Sequence, residues 1–480
     1  MRKKRKITLW QGCTIAIIIY VICVITVYFI AGDQFKYTAS SHNIKPLPST
    51  APIGEISEGV SIRQTFLSPI DTITQFSIEF ATYNRINNGS IFVAMRDLST
   101  NQTVFEEEVD VSTLQDNSFA SFVIPKKIEQ ALGKQFAIEI TAANLDRENA
   151  ITVYYNQQQS AANGELYLNG VLQTGALCFS VTGLQSLYFG HHYFQIMGIV
   201  GLLLACYCIN LCFKAKKGKK SFGLKIIRSF TKYHFLLDQL VSRDFKTKYK
   251  RSVLGVFWSF LNPLLSMIVQ YVVFSTLFQT DIQNFAVYLL IGIVFFNFFM
   301  EATNMGLTSI VSNSSLITKV YIPKYIFPIS RVLSSGINFL LSFIPLMLVI
   351  ICSGIRFTAS ILLLPFAIIC VTVFCIGLSM LLASMMVFFR DTQFLWSVIS
   401  MLWMYATPIF YPESILPQQF LFAFKLNPLY HFIRFARALI LNGASPEPKA
   451  YLFCLLAALI PFAIGTLVFK KTQDKFILYI

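Results

Sequence analysis

Charge is what this 480-residue chain has least of. Asp, Glu, Lys and Arg make up 13% of it, against 55% apolar residues and a mean hydropathy of +0.59. Soluble globular proteins carry about 25% charged residues, so a chain folding wholly in water is excluded, and the apolar surplus excludes disorder. Acidic residues are scarce, 24 against 39 basic, and there are only 5 histidines. No G-x-x-x-x-G-K-S/T motif occurs, and Gly218-Lys-Lys-Ser221 lacks the earlier glycine and a preceding strand. The chain therefore cannot cradle ATP by that route. Nine of the ten cysteines fall in apolar runs. Only Cys178 lies in the polar region, which excludes an internal disulfide there. Cys206-x-Cys208-x-x-x-Cys212 has no histidine or carboxylate neighbour and reads as small apolar residues rather than ligands. No metal site and no catalytic residue is expected.

What is abundant is long uncharged sequence. Ile7–Gly32 follows Arg2-Lys3-Lys4-Arg5-Lys6 and is too long for the h-region of a signal peptide, so it reads as an uncleaved anchor over residues 1–32. A second run, Tyr193–Phe213, ends at Lys214, Lys216, Lys217, Lys219 and Lys220. Further runs occupy Ser252–Thr280, Ile282–Met300, Val332–Ile355, Phe357–Phe389, Thr392–Pro412 and Ala450–Phe469, which gives about eight spans. Basic residues cluster where the positive-inside rule puts the cytoplasm. Both termini are then cytoplasmic, residues 33–192 extracytoplasmic, and the host bilayer the cytoplasmic (plasma) membrane. Arg434 and Arg437 fall on the outer side and break the rule, so they need a partner or a wet cavity.

Charge also divides the chain. From Asp33 to Ser186 there are 9 basic and 16 acidic residues, a net of −7, while the remainder holds 30 basic and 8 acidic, a net of +22. Basicity set on membrane flanks does not make a nucleic-acid stripe, and no nucleic-acid partner is expected. Within the acidic insert the pattern turns to period two, as in Ile73–Phe80, Ser90–Met95, Phe136–Ile140 and Ile151–Tyr155. Asn87-Asn88-Gly89, Asn163-Gly164 and Asn169-Gly170 supply turns. Residues 59–186 thus predict an extracytoplasmic antiparallel β-sandwich, jelly-roll-like, inserted between the first two spans of an α-helical integral membrane protein. Residues 33–58, with their Ser- and Pro-rich stretch, read as a linker. Tyr83, Tyr154, Tyr155 and Tyr167 either stack on sugar rings or pack the core or a rim.

The second span takes residues 190–213, and residues 214–251 form a basic linker ending in a segment suited to the membrane interface. There Phe235, Leu236, Leu240 and Phe245 share a broad apolar face, with Lys246, Lys248 and Lys250 toward phosphates. Arg243-Asp244-Phe-Lys-Thr-Lys-Tyr249-Lys-Arg-Ser252-Val-Leu254-Gly255-Val-Phe-Trp258-Ser-Phe-Leu-Asn-Pro263 follows. So do the Asn313–Pro328 loop, Phe388-Phe-Arg390-Asp391, Thr407-Pro-Ile-Phe-Tyr411-Pro412, Asn427-Pro428-Leu and the tail Phe469–Phe476. In this order and spacing, residues 225–480 resemble the permease subunits of type 2 ABC transporters that export polysaccharides and polyol phosphates, the O-antigen and teichoic-acid exporters. Residues 1–220 lie outside the common pattern.

The resemblance implies a six-span permease core at residues 252–480, a second copy of the chain, and a separate cytoplasmic ABC ATPase that binds ATP and magnesium. No cofactor is bound directly, and the cargo is a lipid-linked glycan or teichoic-acid-like polymer in contact with membrane lipids. It also implies a coupling helix in the loop holding Asn313, Leu316, Lys319, Tyr321 and Pro323. Half-crossing helices are expected between Tyr411 and Lys449, where Ile415–Phe424 and Leu429–Leu441 are too short to span. Arg434 and Arg437 would meet an anionic headgroup or polymer there, or pair with Glu413 or backbone carbonyls. Arg243 and Asp244 suit a pyrophosphate contact, a gate or a structural ion pair. Trp258, Tyr271, Phe295 and Phe299 are candidates for an aromatic path, with packing as the alternative. A permease for a small lipid or drug, and a membrane-anchored surface sensor or adhesin, are the competing functions.

Overall fold

The structure is a computed structural model that describes residues 9–40, 42–158, 164–219, 221–250, 252–278, 284–413, 419 and 421–479. The amino-terminal basic cluster, Ser41, Asn163, Lys220, Arg251, Asp281, Ile282 and Ile415–Pro417 lie outside the described residues. The chain forms two compact units, one of residues Phe35–His192 and one of Met1–Gln34 with Tyr193–Ile480.

The smaller unit is built of β1 (Tyr37–Ala39), β2 (Ala51–Pro52), β3 (Ser61–Leu67), β4 (Thr72–Ala81), β5 (Ser90–Asp97), β6 (Gln102–Asp110) and β7 (Ser118–Ile128). It continues with β8 (Gln135–Asn144), β9 (Thr152–Asn156), β10 (Leu166–Leu168), β11 (Val171–Gln173), β12 (Ala176–Leu177) and β13 (Phe179–Ser186). One sheet runs β11-β10-β3-β8-β5-β6; the other runs β1-β13-β4-β9-β12, with β2 beside β9 and β7 beside β4. Period two sends Phe66, Phe136, Ile138 and Val93 inward from the first sheet and Phe76, Ile78 and Phe179 from the second, into one buried cluster. Phe66 meets Phe179 across the two sheets at 5.5 Å between ring centroids. Burying each such ring contributes about 1.5–3 kcal/mol. Asn169 and Gly170 turn β10 into β11 with φ of 52° and 78°, the left-handed pair a tight hairpin needs. The predicted linker is partly wrong: β1 and β2 lie within residues 33–58, Ile44 bridges Val181, and Ile56 bridges Ile151. Its isolated apolar residues are the reason, for Ile56 is fully buried and Ile44, Leu47 and Ile53 pack on the core.

The larger unit is helical. Its segments are α1 (Leu9–Ala31), with the single turns α2 (Asp33–Lys36) and α3 (Tyr188–His191) at the edges of the β unit, then α4 (Tyr193–Lys216), α5 (Phe222–Tyr249), α6 (Trp258–Phe278) and α7 (Phe285–Leu307). Next come α8 (Ser314–Lys319), α9 (Ile326–Leu341), α10 (Phe343–Cys352), α11 (Leu364–Phe388), α12 (Thr392–Tyr405), α13 (Leu421–Lys425), α14 (Pro428–Leu441), α15 (Pro448–Thr472) and α16 (Phe476–Tyr479). Among the described residues seven helical segments are long and apolar enough to cross a membrane, rather than eight. The missing one is Thr392–Pro412. Its helix α12 stops at Tyr405 after 14 residues, because Pro408 disfavours helix at Thr407. At 1.5 Å per residue that is roughly 21 Å, short of a ~30 Å hydrocarbon core.

Two close approaches fix the helical packing. Tyr20 donates to the Met197 carbonyl at 2.6 Å and Tyr193 to that of Val24 at 3.0 Å, pairing α1 with α4. Between α11 and α15, a Cβ on Gly465 would lie 1.9 Å from the Gly377 carbonyl oxygen, so small residues set that contact. Along α5 the apolar residues divide between two faces. Leu240 is buried with Leu236 and Leu237 against a cluster of Ile310, Ile326, Phe327 and Phe469. Phe230 and Phe235 stay exposed, so Phe235 does not share the buried face.

Candidate functional site

Two polar assemblies stand out in the helical unit, one at each end of α7. The first begins on α5, where Asp244 is buried one residue from exposed Arg243. Arg243 approaches the Asp244 carboxylate at 2.9 Å and Arg331 on α9 reaches it at 3.2 Å from another side. Arg243 also donates to the Asn313 side chain at 3.3 Å, and Arg331 to the Ser312 hydroxyl at 3.3 Å. Asn313 in turn donates to the Ser309 carbonyl at 2.8 Å. Next to this clasp, Lys248 pairs with Glu301 at 2.8 Å. Asn338 donates to the same carboxylate at 2.7 Å and accepts from Tyr249 at 2.8 Å. Asp244, the buried member of the set, persists as a charge only because it is paired, while Arg243 and Lys248 reach it and Glu301 respectively from the solvent side. The pairs tie α5 to α7, to α9 and to the loop that leads into α8, around a cleft of about 630 Å3.

Arg243, Asp244 and Asn313 are thus joined in one network, although their sequence roles were separate. Sequence reasoning missed Glu301, Arg331 and Asn338 as site residues, and it set Lys248 toward phosphates rather than toward Glu301. Glu301 had a signal: it is the acid that closes the uncharged run through α7. The remaining coupling-loop residues divide. Ile317 is buried, Leu316 packs beside Ile310, Lys319 is exposed, and Val320 and Tyr321 project outward with Tyr321 95% exposed. Pro323 precedes α9, and Lys324 donates to the Gln473 carbonyl at 2.6 Å, tying this loop to the chain's tail. Burial lowers the Lys324 ammonium below its ordinary range, with Asp474 opposing that shift.

The second assembly lies where the expected half-crossing helices are. Arg437 on α14 is buried, and its guanidinium donates to the carbonyls of Pro408 at 2.7 Å, Ile409 at 3.0 Å and Tyr288 at 3.2 Å. It also lies 3.3 Å from the centre of the Tyr288 ring. The carbonyl alternative therefore describes Arg437, whose Nε, Nη1 and Nη2 all donate to backbone carbonyls. Arg434 is largely exposed, 3.6 Å from Glu413 and beside the Tyr430 ring. Asn427 caps α14 through the Leu429 amide at 3.0 Å and holds Trp403 at 2.8 Å and Thr407 at 2.8 Å. The Thr407–Pro412 and Asn427-Pro428 motifs meet at this point.

The aromatic candidates separate by burial. Phe295 and Phe299 are completely buried, Phe295 against Phe339 at 5.2 Å and Phe299 against Phe374 and Trp403 at 5.8 and 5.2 Å. Packing, and not an open path, describes them here, because α7 is enclosed by α9 and α11. Trp258 and Tyr271 on α6 are both exposed. In the β unit the four tyrosines do not form one surface. Tyr167 sits on β10 in one sheet, beside Glu165. Tyr154 and Tyr155 occupy β9 in the other sheet, where Tyr154 donates to Asn117 at 2.8 Å and Tyr155 accepts from Gln157 at 2.8 Å. Tyr83 lies in the turn after β4 with Arg85 over its ring. Among the described residues no group of three or more His, Cys, Asp or Glu could hold a metal ion.

Comparison with known proteins agrees with this arrangement of helices and motifs. Residues 236–441 match the family described as ABC-2 type transporter. The chain is 30% identical over 248 residues to the O-antigen export system permease protein RfbA of Klebsiella pneumoniae, covering 50% of this chain and 95% of that protein. RfbA of Myxococcus xanthus is 29% identical over 256 residues, or 53% of this chain and 98% of that one. The capsule polysaccharide export inner-membrane protein CtrC of Neisseria meningitidis is 24% identical over 240 residues, or 49% and 90%. The relatives match over nearly their whole length and leave about half of this chain unaccounted for. On this similarity the chain belongs to the ABC-2 type transporter family, among its polysaccharide-export permeases.

Proposed function

We propose that this chain is the transmembrane subunit of an ATP-driven exporter that moves a lipid-linked polysaccharide or teichoic-acid-like polymer across the cytoplasmic membrane. A separate cytoplasmic ABC ATPase binds ATP and magnesium, and a second copy of the chain completes the conduit. The Asp244 clasp carries this reading. A loop with an outward Tyr321 and Lys319 is joined through Asn313, Arg243 and Asp244 to an interface helix and through Arg331 to a span. A push on that loop by the ATPase is then transmitted to α5 and α9 together, since the loop is hydrogen-bonded to Arg243 and Arg331 and separating the two helices breaks the Asp244–Arg331 pair out of water. With Lys214 and Lys216 in the last turn of α4, Lys217 after it, and Lys246 and Lys248 in the last turn of α5, the positive-inside rule sets the coupling loop in the cytoplasm. Both termini join it with α12 and residues 406–412 together making an eighth crossing beside the seven long helices. Residues 33–192 are then extracytoplasmic, where the β-sandwich meets the emerging polymer. Arg434 lies on that outer side, its exposed guanidinium loosely paired with Glu413 and within reach of an anionic group.

The test pairs a depletion strain with affinity purification. Loss of the chain should remove a surface glycan, and the tagged chain should bring down a cytoplasmic ATPase subunit. Lys319→Glu should cut ATPase recovery several-fold without changing the amount of membrane protein. Normal surface glycan after depletion would overturn the reading; an undiminished complex with Lys319→Glu would overturn the coupling assignment.

A further inference from the structure

Beside the Asp244 clasp lies a smaller cleft of about 260 Å3, lined by Trp258 and Asn262 of α6, Asn297 and Glu301 of α7, and Asn338 and Ser342 of the α9–α10 segment. Each helix is predominantly apolar, although α9 also carries Arg331 and three serines. Three spans therefore each bring an amide to the same small volume, although a polar side chain within the hydrocarbon layer is costly without a partner. Asn338 is occupied by Glu301 and Tyr249. Asn262 and Asn297 are exposed toward the cleft, and among the described residues neither side chain has a hydrogen-bond partner within the chain. Trp258 keeps 46% of its surface open at the rim.

We propose that this cleft is a carbohydrate subsite that receives the sugar unit next to the diphosphate of a lipid-linked glycan; this rests on the exporter reading above. A pyranose ring offers hydroxyls that donate and accept together with an apolar face of C–H bonds. Two free amides can pair with adjacent hydroxyls in both senses, the Glu301 carboxylate accepts one more, and the Trp258 indole covers the C–H face. A plain lipid chain would leave the amides unpaired, and a diphosphate alone, which only accepts, would use the amide N–H groups and Lys248 but leave both amide oxygens and the Glu301 carboxylate without donors from the ligand. The adjoining cleft of Arg243 and Arg331 shares Lys248 and Glu301 with this one, so a diphosphate and its first sugar can occupy neighbouring compartments.

The full chain with its ATPase in lipid nanodiscs is titrated with farnesyl diphosphate carrying one N-acetylhexosamine and, separately, with unmodified farnesyl diphosphate. Trp fluorescence is read, with Trp258→Phe as the assignment control. Asn262→Leu with Asn297→Leu should weaken the sugar-bearing lipid at least tenfold and change the plain diphosphate less than twofold, and the Asn→Gln pair should recover part of the loss. Equal losses for both lipids, or unchanged binding of the sugar-bearing one, would overturn the subsite. So would a fall in self-association of the chain with unchanged lipid binding, which would give the amides to a second copy. Surface glycan is measured in the same strains. If wild type restores it while the Leu pair binds normally, the subsite fails and the exporter reading stands; if depletion of the chain leaves it unchanged, the exporter reading fails.

Discussion

The two units of this chain handle charge in opposite ways. In the β unit most ionic groups face water, as Arg63, Glu139 and Arg96 do across β3, β8 and β5 at 3.4 and 3.6 Å, with Asp97 the buried exception. Pairs open to water like these are worth at most about 1 kcal/mol. In the helical unit charges are few, but Asp244, Arg331 and Arg437 are withdrawn from water, and each is held by two or more groups, at least one of them on another segment. A sandwich in water can gain or lose a surface pair freely, whereas a charge among spans survives only where its whole surround is arranged for it. Rarity therefore makes the helical unit's charges informative about mechanism, and the abundance of the β unit's charges makes them uninformative.

That contrast breaks most visibly at Asp244. Replacing it with Asn leaves Arg331 without its counter-charge, and losing one member of a buried pair costs about 3–5 kcal/mol. Thermal unfolding of the purified complex should fall accordingly, and surface glycan should be lost. Asp244→Asn combined with Arg331→Met should recover most of the stability, since no buried charge is left alone, but not export, since the tie between α5 and α9 is gone. Unchanged unfolding in the single variant would remove the clasp; full export in the double variant would make it structural only.

Arg437 comes next. Arg437→Met orphans the carbonyls of Pro408 and Ile409 and removes the second partner of the Tyr288 carbonyl, and should cost about 3 kcal/mol, read as an earlier unfolding of the complex. A gentler probe of the same seat is Gly292→Ala. Its Cβ would stand 2.9 Å from Ile409 Cγ2 and 3.0 Å from Arg437 Nη2, an overpacking worth about 1–2 kcal/mol. If neither variant shifts unfolding, the guanidinium does not fasten α14 to α7.

How far the sequence announces each unit follows from the same physics. Strands such as Ile73–Phe80 and Phe136–Ile140 were legible because one face meets water and the other the core, so alternation is enforced. The strands at Tyr37–Ala39 and Ala51–Pro52 were not, since two or three residues carry no period. Uncharged runs marked the spans, but length without punctuation overcounted at Thr392–Pro412, where Pro408 decides. At the site, Arg243, Asp244 and Asn313 were legible through a family pattern. Their union was not, because hydrogen bonding across some 70 positions leaves no local trace. Glu301 and Asn297 were visible as lone polar letters in an apolar run, a signal that pays attention to what interrupts a pattern.

The smallest effects belong to the β unit. Arg63→Ala should shift unfolding by less than about 1 kcal/mol, because the pair it removes is open to solvent. At Asp116 the expected effect is one of pH and local order. Its carboxylate accepts the Thr82 backbone amide first of all, with the amides of Asn84 and Tyr83 adding to it, and this holds it below the usual carboxylate range against a small desolvation in the other direction. A lowered folded value means that the stabilisation is fully present above the unfolded value of about 3.9 and is lost as pH falls through the lower one. Hydrogen exchange at the amides of Thr82, Tyr83 and Asn84 should therefore show protection that is flat from neutral pH to about 5 and falls away below about 4, while Asp116→Asn should give weak protection throughout. Tyr83 and Asn84 have φ of 57° and 55°, a turn that needs the carboxylate to gather its amides. An identical acid limb in the Asn variant would show that this turn is held by its backbone alone.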